Sequence, residues 1–87
     1  SVRRLTSTSI SLRISIEPGG FIDAFYNEQT DTTAFALIRK GRRLYGADNT
    51  GGWHIHPFSD PGRHEPLEDP LPFAEFVAQI EQHQQDR

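Results

Sequence analysis

Cysteine is absent from this sequence, which excludes disulfide bonds and thiolate metal sites. The absence is typical of proteins that work inside the cell, where disulfides are rare. No apolar run approaches the roughly 18 residues of a membrane span, and no signal-peptide pattern is present. These absences predict a soluble, cytoplasmic protein with no membrane partner.

Methionine is absent too, and the chain begins Ser1-Val2-Arg3-Arg4, which we interpret as a processed or added start. The 87 residues provide one domain, spanning 1–87, and leave no room for a second. A domain of this size buries roughly 60 to 65% of the surface that its unfolded chain exposes. We therefore expect a single thin core.

Charge is unevenly divided between the two halves of the chain, although the net charge is only −3. Residues 1–43 carry seven Lys and Arg against four Asp and Glu, whereas residues 44–87 carry two against eight. A local anion site in the basic half is compatible with the negative total. Ordinary solvated strands produce the same pattern, and the composition leaves both interpretations open.

Alternating apolar and polar residues predict an antiparallel meander of four or five strands. The clearest alternation covers residues 8–17, and the Pro18-Gly19-Gly20 segment after it favours a chain reversal. Lys40-Gly41 is a tight-turn signal between two further strand patterns. The later strands are predicted at residues 21–28, 32–39, 42–47 and 53–56.

The C-terminal part predicts a loop over residues 57–71 and a helix over residues 72–84. Pro72 suits the first turn of a helix, and Phe73, Phe76, Val77 and Ile80 follow helical spacing. The fold class is therefore α+β, with one helix packed on a face of the sheet. Limited burial also favours a homodimer that covers a sheet edge or the Phe-rich second strand.

A histidine pair marks the candidate site. In a strand, residues two apart project to the same face, so His54 and His56 lie side by side while Trp53 and Ile55 turn away. Two imidazoles can share acid and base roles near neutral pH, or bind a divalent metal. The alternative is that the two histidines have only a structural role. We expect an exposed pair that matters for activity more than for folding.

Further residues extend this candidate catalytic set. The loop after Pro57 can bring His64 near the strand end, and Asp48 can orient an imidazole as carboxylates do for catalytic histidines. Alternation places Arg43 and Tyr45 on one face, where they can hold a phosphate. Asn49 and Arg63 complete the substrate-binding candidates, although Asn49 is also a common turn former.

The chain resembles the small TumE-like toxins of toxin-antitoxin systems. The resemblance rests on Asp48-Asn49, the glycine turn after it and the His54-x-His56 pair, set between a meander and a single helix. It covers roughly residues 35–80. It implies a ribonuclease-type toxin that acts on RNA without a cofactor and is silenced by a helix-turn-helix antitoxin protein.

A second resemblance is to JAMM metalloproteases, whose His-x-His-Pro zinc motif is similar to residues 54–57. It implies a zinc-dependent hydrolase with His54, His56 and Asp60 as ligands, and an upstream glutamate at Glu17 or Glu28. A non-catalytic binding module is the third class that the sequence leaves open.

Overall fold

The computed structural model describes residues 2–5, 8–16, 19–60 and 62–85. Within these ranges seven antiparallel strands form one sheet in chain order, and one helix follows. The predicted α+β meander with a C-terminal helix is confirmed. The elements are β1 (Val2–Leu5), β2 (Ser9–Ile16), β3 (Gly20–Asn27), β4 (Thr32–Arg39), β5 (Arg42–Asp48), β6 (His54–His56), β7 (Glu65–Pro66) and α1 (Phe73–Gln85).

The prediction of four or five strands is too low, because β1 and β7 add one strand at each edge of the sheet. The four residues of β1 show no alternation that would predict a strand, but they pair with β2. The segment 57–71 is not all loop, since β7 pairs with β6 inside it. Pro66 is tolerated there because an edge strand can spare an N–H group.

The predicted turns form where the backbone requires them. Lys40 and Gly41 both take positive φ, 52° and 73°, which suits a two-residue hairpin. Gly19 has a φ of 85° and donates its N–H to the carbonyl of Ile16 at 3.2 Å. Glu17 and Pro18, the other residues predicted at this reversal, lie outside the described residues.

Helix α1 packs on one face of the sheet, here called the helix side. The buried residues of this core include Ile22, Leu37, Ala47 and Phe76, and the ring of Phe76 lies 5.3 Å from that of Phe35. The N–H groups of residues 75 and 76 bond to the carbonyl of Pro72, which therefore precedes the first turn. No helix in the described residues is long and apolar enough to span a bilayer.

A β-bulge between β4 and β5 separates two side chains that alternation places together. Leu37 lies opposite Tyr45, but the next residue, Ile38, lies opposite Arg43, so Leu44 is the extra residue. Tyr45 is 4% exposed on the helix side, whereas Arg43 lies on the opposite, open face. The prediction that Arg43 and Tyr45 share a face is therefore wrong.

Two rows of directly opposed residues cross the open face from β2 to β6. Each row has large or polar side chains at its ends and small residues between them. The first row is Arg13, Asp23, Ala36, Gly46 and His56. The second row is Ser11, Phe25, Ala34, Asp48 and His54.

Candidate functional site

The turn between β5 and β6 places the histidine pair. Gly51 and Gly52 take positive φ, 71° and 110°, and the N–H of Gly52 bonds to the carbonyl of Asn49 at 3.1 Å. The chain returns as β6 with His54 opposite Asp48. The predicted alternation is confirmed, because both histidines lie on the open face while the residues at 53 and 55 pack against the core.

Asp48 bridges the two histidines. Its Oδ1 lies 3.3 Å from Nε2 of His54, and its Oδ2 lies 3.3 Å from Nε2 of His56. The backbone N–H of Thr50 donates to Oδ1 at 3.0 Å, which holds the carboxylate in place. The predicted contact between Asp48 and an imidazole is therefore present, and one carboxylate serves both rings.

Both ring nitrogens of His56 have partners. Arg43 Nη2 donates to Nδ1 at 3.4 Å, and since a guanidinium is only a donor, the lone pair is on Nδ1. The proton is then on Nε2, which donates to Asp48 at 3.3 Å. The side chains of His56 and His54 are only 5% and 13% exposed, so the expectation of an exposed pair is wrong. The ring of His56 is covered by the rings of His54 and His64 and by its two partners, Arg43 and Asp48.

His54 has a different environment. Its Nδ1–H donates to the carbonyl of Gly52 at 2.9 Å, while Nε2 faces Asp48. Both nitrogens of His54 therefore face oxygen acceptors, the carbonyl of Gly52 and the carboxylate of Asp48. The two neighbouring imidazoles thus differ in the partner of Nδ1, which is a carbonyl oxygen for His54 and a guanidinium for His56.

His64 completes a three-imidazole cluster. Its ring stacks on that of His54, with centroids 4.7 Å apart, and meets the ring of His56 edge-on at 4.4 Å. One ring nitrogen from each residue lies within 4.8 Å of the others. The predicted return of the loop is confirmed, and β7 is the reason, because Pro66 pairs with His54 and sets the preceding residues beside it.

Two predicted substrate-binding residues lie away from the cluster. The hydroxyl of Tyr45 donates to Oε1 of Gln79 on the helix side. Burial raises the pKa of Tyr45, and the negative charges of Glu65 and Glu75 raise it further. Asn49 accepts the N–H of residue 33 at 2.9 Å and donates to the carbonyl of residue 31, so it braces a turn.

The remaining candidates, Arg63 and Asp60, form hydrogen bonds within the segment that runs from β6 into β7. Arg63 donates to Glu65 at 2.8 Å, and Asp60 accepts the N–H of Gly62 at 3.3 Å. The structure thus brings His64, in place of Asp60, to the histidine pair. Glu28 lies in the turn after β3, and Glu17 lies outside the described residues.

Sequence reasoning misses an ion pair on the open face. Arg13 forms two hydrogen bonds to Asp23, at 2.9 and 3.2 Å, and its guanidinium lies 3.8 Å from the ring centre of Phe21. The pKa of Arg13 lies above its ordinary value, chiefly because these bonds favour the charged form. The alignment of the two residues follows from the pairing of Ile16 with Gly20 across the reversal, which alternation alone does not specify.

A groove of about 460 Å³ connects this pair with the histidines. Its floor includes the small side chains of Ala34 and Ala36. One end is formed by Arg43, Asp48 and His56, and the other by Arg13, Asp23 and Phe25. A ligand in the groove would therefore reach the two partners of His56.

No protein-family model, curated protein or solved structure matches this chain. Its resemblances to toxins and to metalloproteases stay predictions, and function is inferred from the residues themselves.

Proposed function

We propose that this protein is a small toxin-like endoribonuclease that cleaves RNA by acid and base catalysis without a metal. The observation that carries the proposal is the bonding of His56. Arg43 occupies its Nδ1 at 3.4 Å and Asp48 its Nε2 at 3.3 Å, which combines a cation, an imidazole and an orienting carboxylate in one chain of contacts.

His56 is the general base in this proposal. Its bond from Arg43 is long, and a guanidinium binds an anionic phosphate, often through two parallel bonds, more strongly than it binds a neutral ring nitrogen. An RNA phosphate therefore draws the guanidinium away and uncovers the lone pair on Nδ1. Asp48 keeps the ring oriented through Nε2 during this exchange.

His54 is the general acid, because both of its nitrogens face oxygen acceptors. The ribose 2′-hydroxyl gives its proton to His56, and its oxygen bonds to phosphorus. The bond from phosphorus to the 5′ oxygen breaks, and that oxygen takes a proton from His54. The products are a 2′,3′-cyclic phosphate and a 5′-hydroxyl end. Arg43 stabilises the charge that develops on the phosphate.

The same proposal includes protein partners. Arg39 and Arg42 lie on one face of the β4–β5 hairpin, Arg43 lies on the other, and Lys40 is in the turn. An acidic antitoxin segment that wraps the end of the hairpin in the cytoplasm would therefore meet all four. A second copy of the chain is the other partner, because Ile14 and Tyr26 remain 37% and 41% exposed on the helix side. Co-expression with the product of an adjacent open reading frame, followed by co-purification, tests the antitoxin.

Cleavage of a labelled single-stranded RNA in the presence of a chelator tests the enzyme proposal directly. We expect cleavage to continue, and mass spectrometry to find cyclic phosphate ends. Two results together would contradict the proposal. The purified protein would leave the RNA intact, and the chain would be harmless when expressed alone in bacteria.

A zinc-dependent hydrolase is the second candidate, favoured by the nitrogens of His54, His56 and His64 within 4.8 Å of one another. Three imidazoles can hold zinc and leave a fourth position for water. Arg43 opposes this function, because a metal on Nε2 of His56 moves the ring proton to Nδ1, where it faces another donor. About one zinc per chain in elemental analysis, lost in His56→Ala, would favour the second candidate.

A further inference from the structure

The groove on the open face exists because three small residues stand between two large ends. Ala36 and Gly46 separate Asp23 from His56 in one row, and Ala34 separates Phe25 from Asp48 in the next. Since side chains at these positions project from the same face, the floor stays low where the residues are small. The amino-acid sequence therefore builds a depression that ends at the histidines.

The dimensions of the groove suit one flat ring system. Neighbouring strands lie about 4.8 Å apart, so Phe25 and Asp48, two strands apart, are separated by about 10 Å. Asp23 and His56, three strands apart, are separated by about 14 Å. A nucleobase with its ribose fits this span, whereas a double helix does not enter it.

The far end of the groove offers the contacts that an unpaired base needs. Phe25 supplies an aromatic surface, and aromatic residues on sheet faces stack bases of single-stranded RNA. Arg13 is clamped by two hydrogen bonds to Asp23 and by the ring of Phe21, so its donors have a fixed direction. The carboxylate of Asp23 adds hydrogen-bond acceptors beside them.

We propose that the groove is a base-binding subsite for single-stranded RNA. One unpaired base, attached to the ribose beside the cleaved phosphate, lies against Phe25 over Ala34 and Ala36. Its edge bonds to the Arg13–Asp23 pair, while the phosphate meets Arg43. The inference rests on the proposed function, because it assigns the His56 end of the groove to the phosphate.

Steady-state cleavage of a short single-stranded RNA tests this subsite. We expect Phe25→Ala to raise KM roughly 5- to 150-fold, the loss that corresponds to one stacked base, with kcat unchanged. Ala36→Leu should raise KM as well, because it fills the floor. Ser15→Leu is the matched control, since it adds the same bulk to the open face outside the groove and should leave KM unchanged.

Asp23→Asn tests base recognition through substrate preference, which would not change if Asp23 had only a structural role. It replaces a carboxylate oxygen by an amide donor at the base edge, so the ranking of oligo(A), oligo(C), oligo(G) and oligo(U) as substrates should change. An unchanged ranking, together with a wild-type KM in both Phe25→Ala and Ala36→Leu, overturns the subsite.

Binding measurements separate this inference from the enzyme proposal. A 2′-O-methyl oligonucleotide lacks the nucleophile, so its affinity, measured by fluorescence anisotropy, reports the groove alone. We expect Phe25→Ala and Ala36→Leu to weaken it. If both variants bind the oligonucleotide more weakly but the wild type cleaves no RNA, the subsite is supported and the enzyme proposal is contradicted. If the wild type cleaves RNA and both folded variants bind the oligonucleotide with full affinity, the subsite is contradicted and the enzyme proposal is supported.

Discussion

Arg43 and His56 are joined by a hydrogen bond of 3.4 Å from Nη2 to Nδ1. They come from different strands, and the bulge in β5 turns Arg43 toward the histidine. Because a guanidinium only donates, this bond places the lone pair of the imidazole on Nδ1. In the proposed mechanism this contact has to open before His56 can accept a proton.

His54→Gln and His56→Gln should each lower RNA cleavage by roughly 100- to 10,000-fold, the range for a lost acid or base. Their stabilities should differ modestly, because the side chains of His56 and His54 are 5% and 13% exposed. His56→Gln should cost about 1 to 3 kcal/mol, since it disrupts a buried ring with two partners, whereas His54→Gln should cost less. Cleavage assays and urea unfolding measure the two effects.

Trp53→Ala is the reference for a purely structural loss. This half-buried residue packs near Phe35, with ring centres 6.4 Å apart, so we expect a cost of about 3 kcal/mol and normal activity in the folded fraction. Full activity in both histidine variants would leave them with a structural role only.

Asp48→Asn should preserve the fold and remove most of the activity. The amide keeps one acceptor for Nε2–H of His56 but brings no negative charge to His54. We expect a decrease in kcat of roughly 100- to 10,000-fold. The melting temperature should fall as well, because the amide NH2 group then takes the place of the oxygen that accepts the N–H of Thr50. Wild-type kcat in this variant would show that the carboxylate takes no part in cleavage.

Gly46→Ala should disturb the site through sterics alone. The added Cβ would lie 3.2 Å from Cδ of Arg43, 3.2 Å from the backbone oxygen of Phe35 and 3.5 Å from Cδ2 of His56. We expect a loss of about 1 to 3 kcal/mol and lower activity, because the backbone oxygen belongs to a paired strand.

Gly62→Ala is the matched control for this substitution. Its Cβ would meet only Oδ1 of Asp60, at an ordinary 3.5 Å, so both stability and activity should stay near wild type. Equal behaviour of the two alanine variants would contradict the steric explanation.

Tyr45 should make stability depend on alkaline pH. Its folded-state pKa lies above the ordinary 10.0, first because burial disfavours the phenolate and then because Glu65 and Glu75 are negative. Folding therefore favours the neutral phenol. This contribution is complete below the unfolded-state pKa of about 10 and is lost as pH rises through the folded-state value.

Tyr45→Phe should therefore be less stable near neutral pH, since it loses the hydrogen bond to Gln79, but should lose less further stability above about pH 10. Urea unfolding of both proteins across this range measures the difference. Parallel stability curves for the two proteins would assign the alkaline loss to other groups.

The sequence by itself determined the central strands, the helix and the shared face of the histidine pair. Alternation in β2 and helical spacing in α1 are local patterns, and burial of one face stabilises them directly. The position of Asp48 beside β6 follows from the same local logic, because a short glycine turn leaves few ways to pair the two strands.

Only the tertiary structure decided which distant residues meet the pair. The bulge separated Arg43 from Tyr45, the pairing of β7 brought in His64, and the register of β2 with β3 joined Arg13 to Asp23. Each outcome depends on how one strand is aligned with another. A shift of one residue in that alignment moves every side chain to the other face, and no local pattern specifies it.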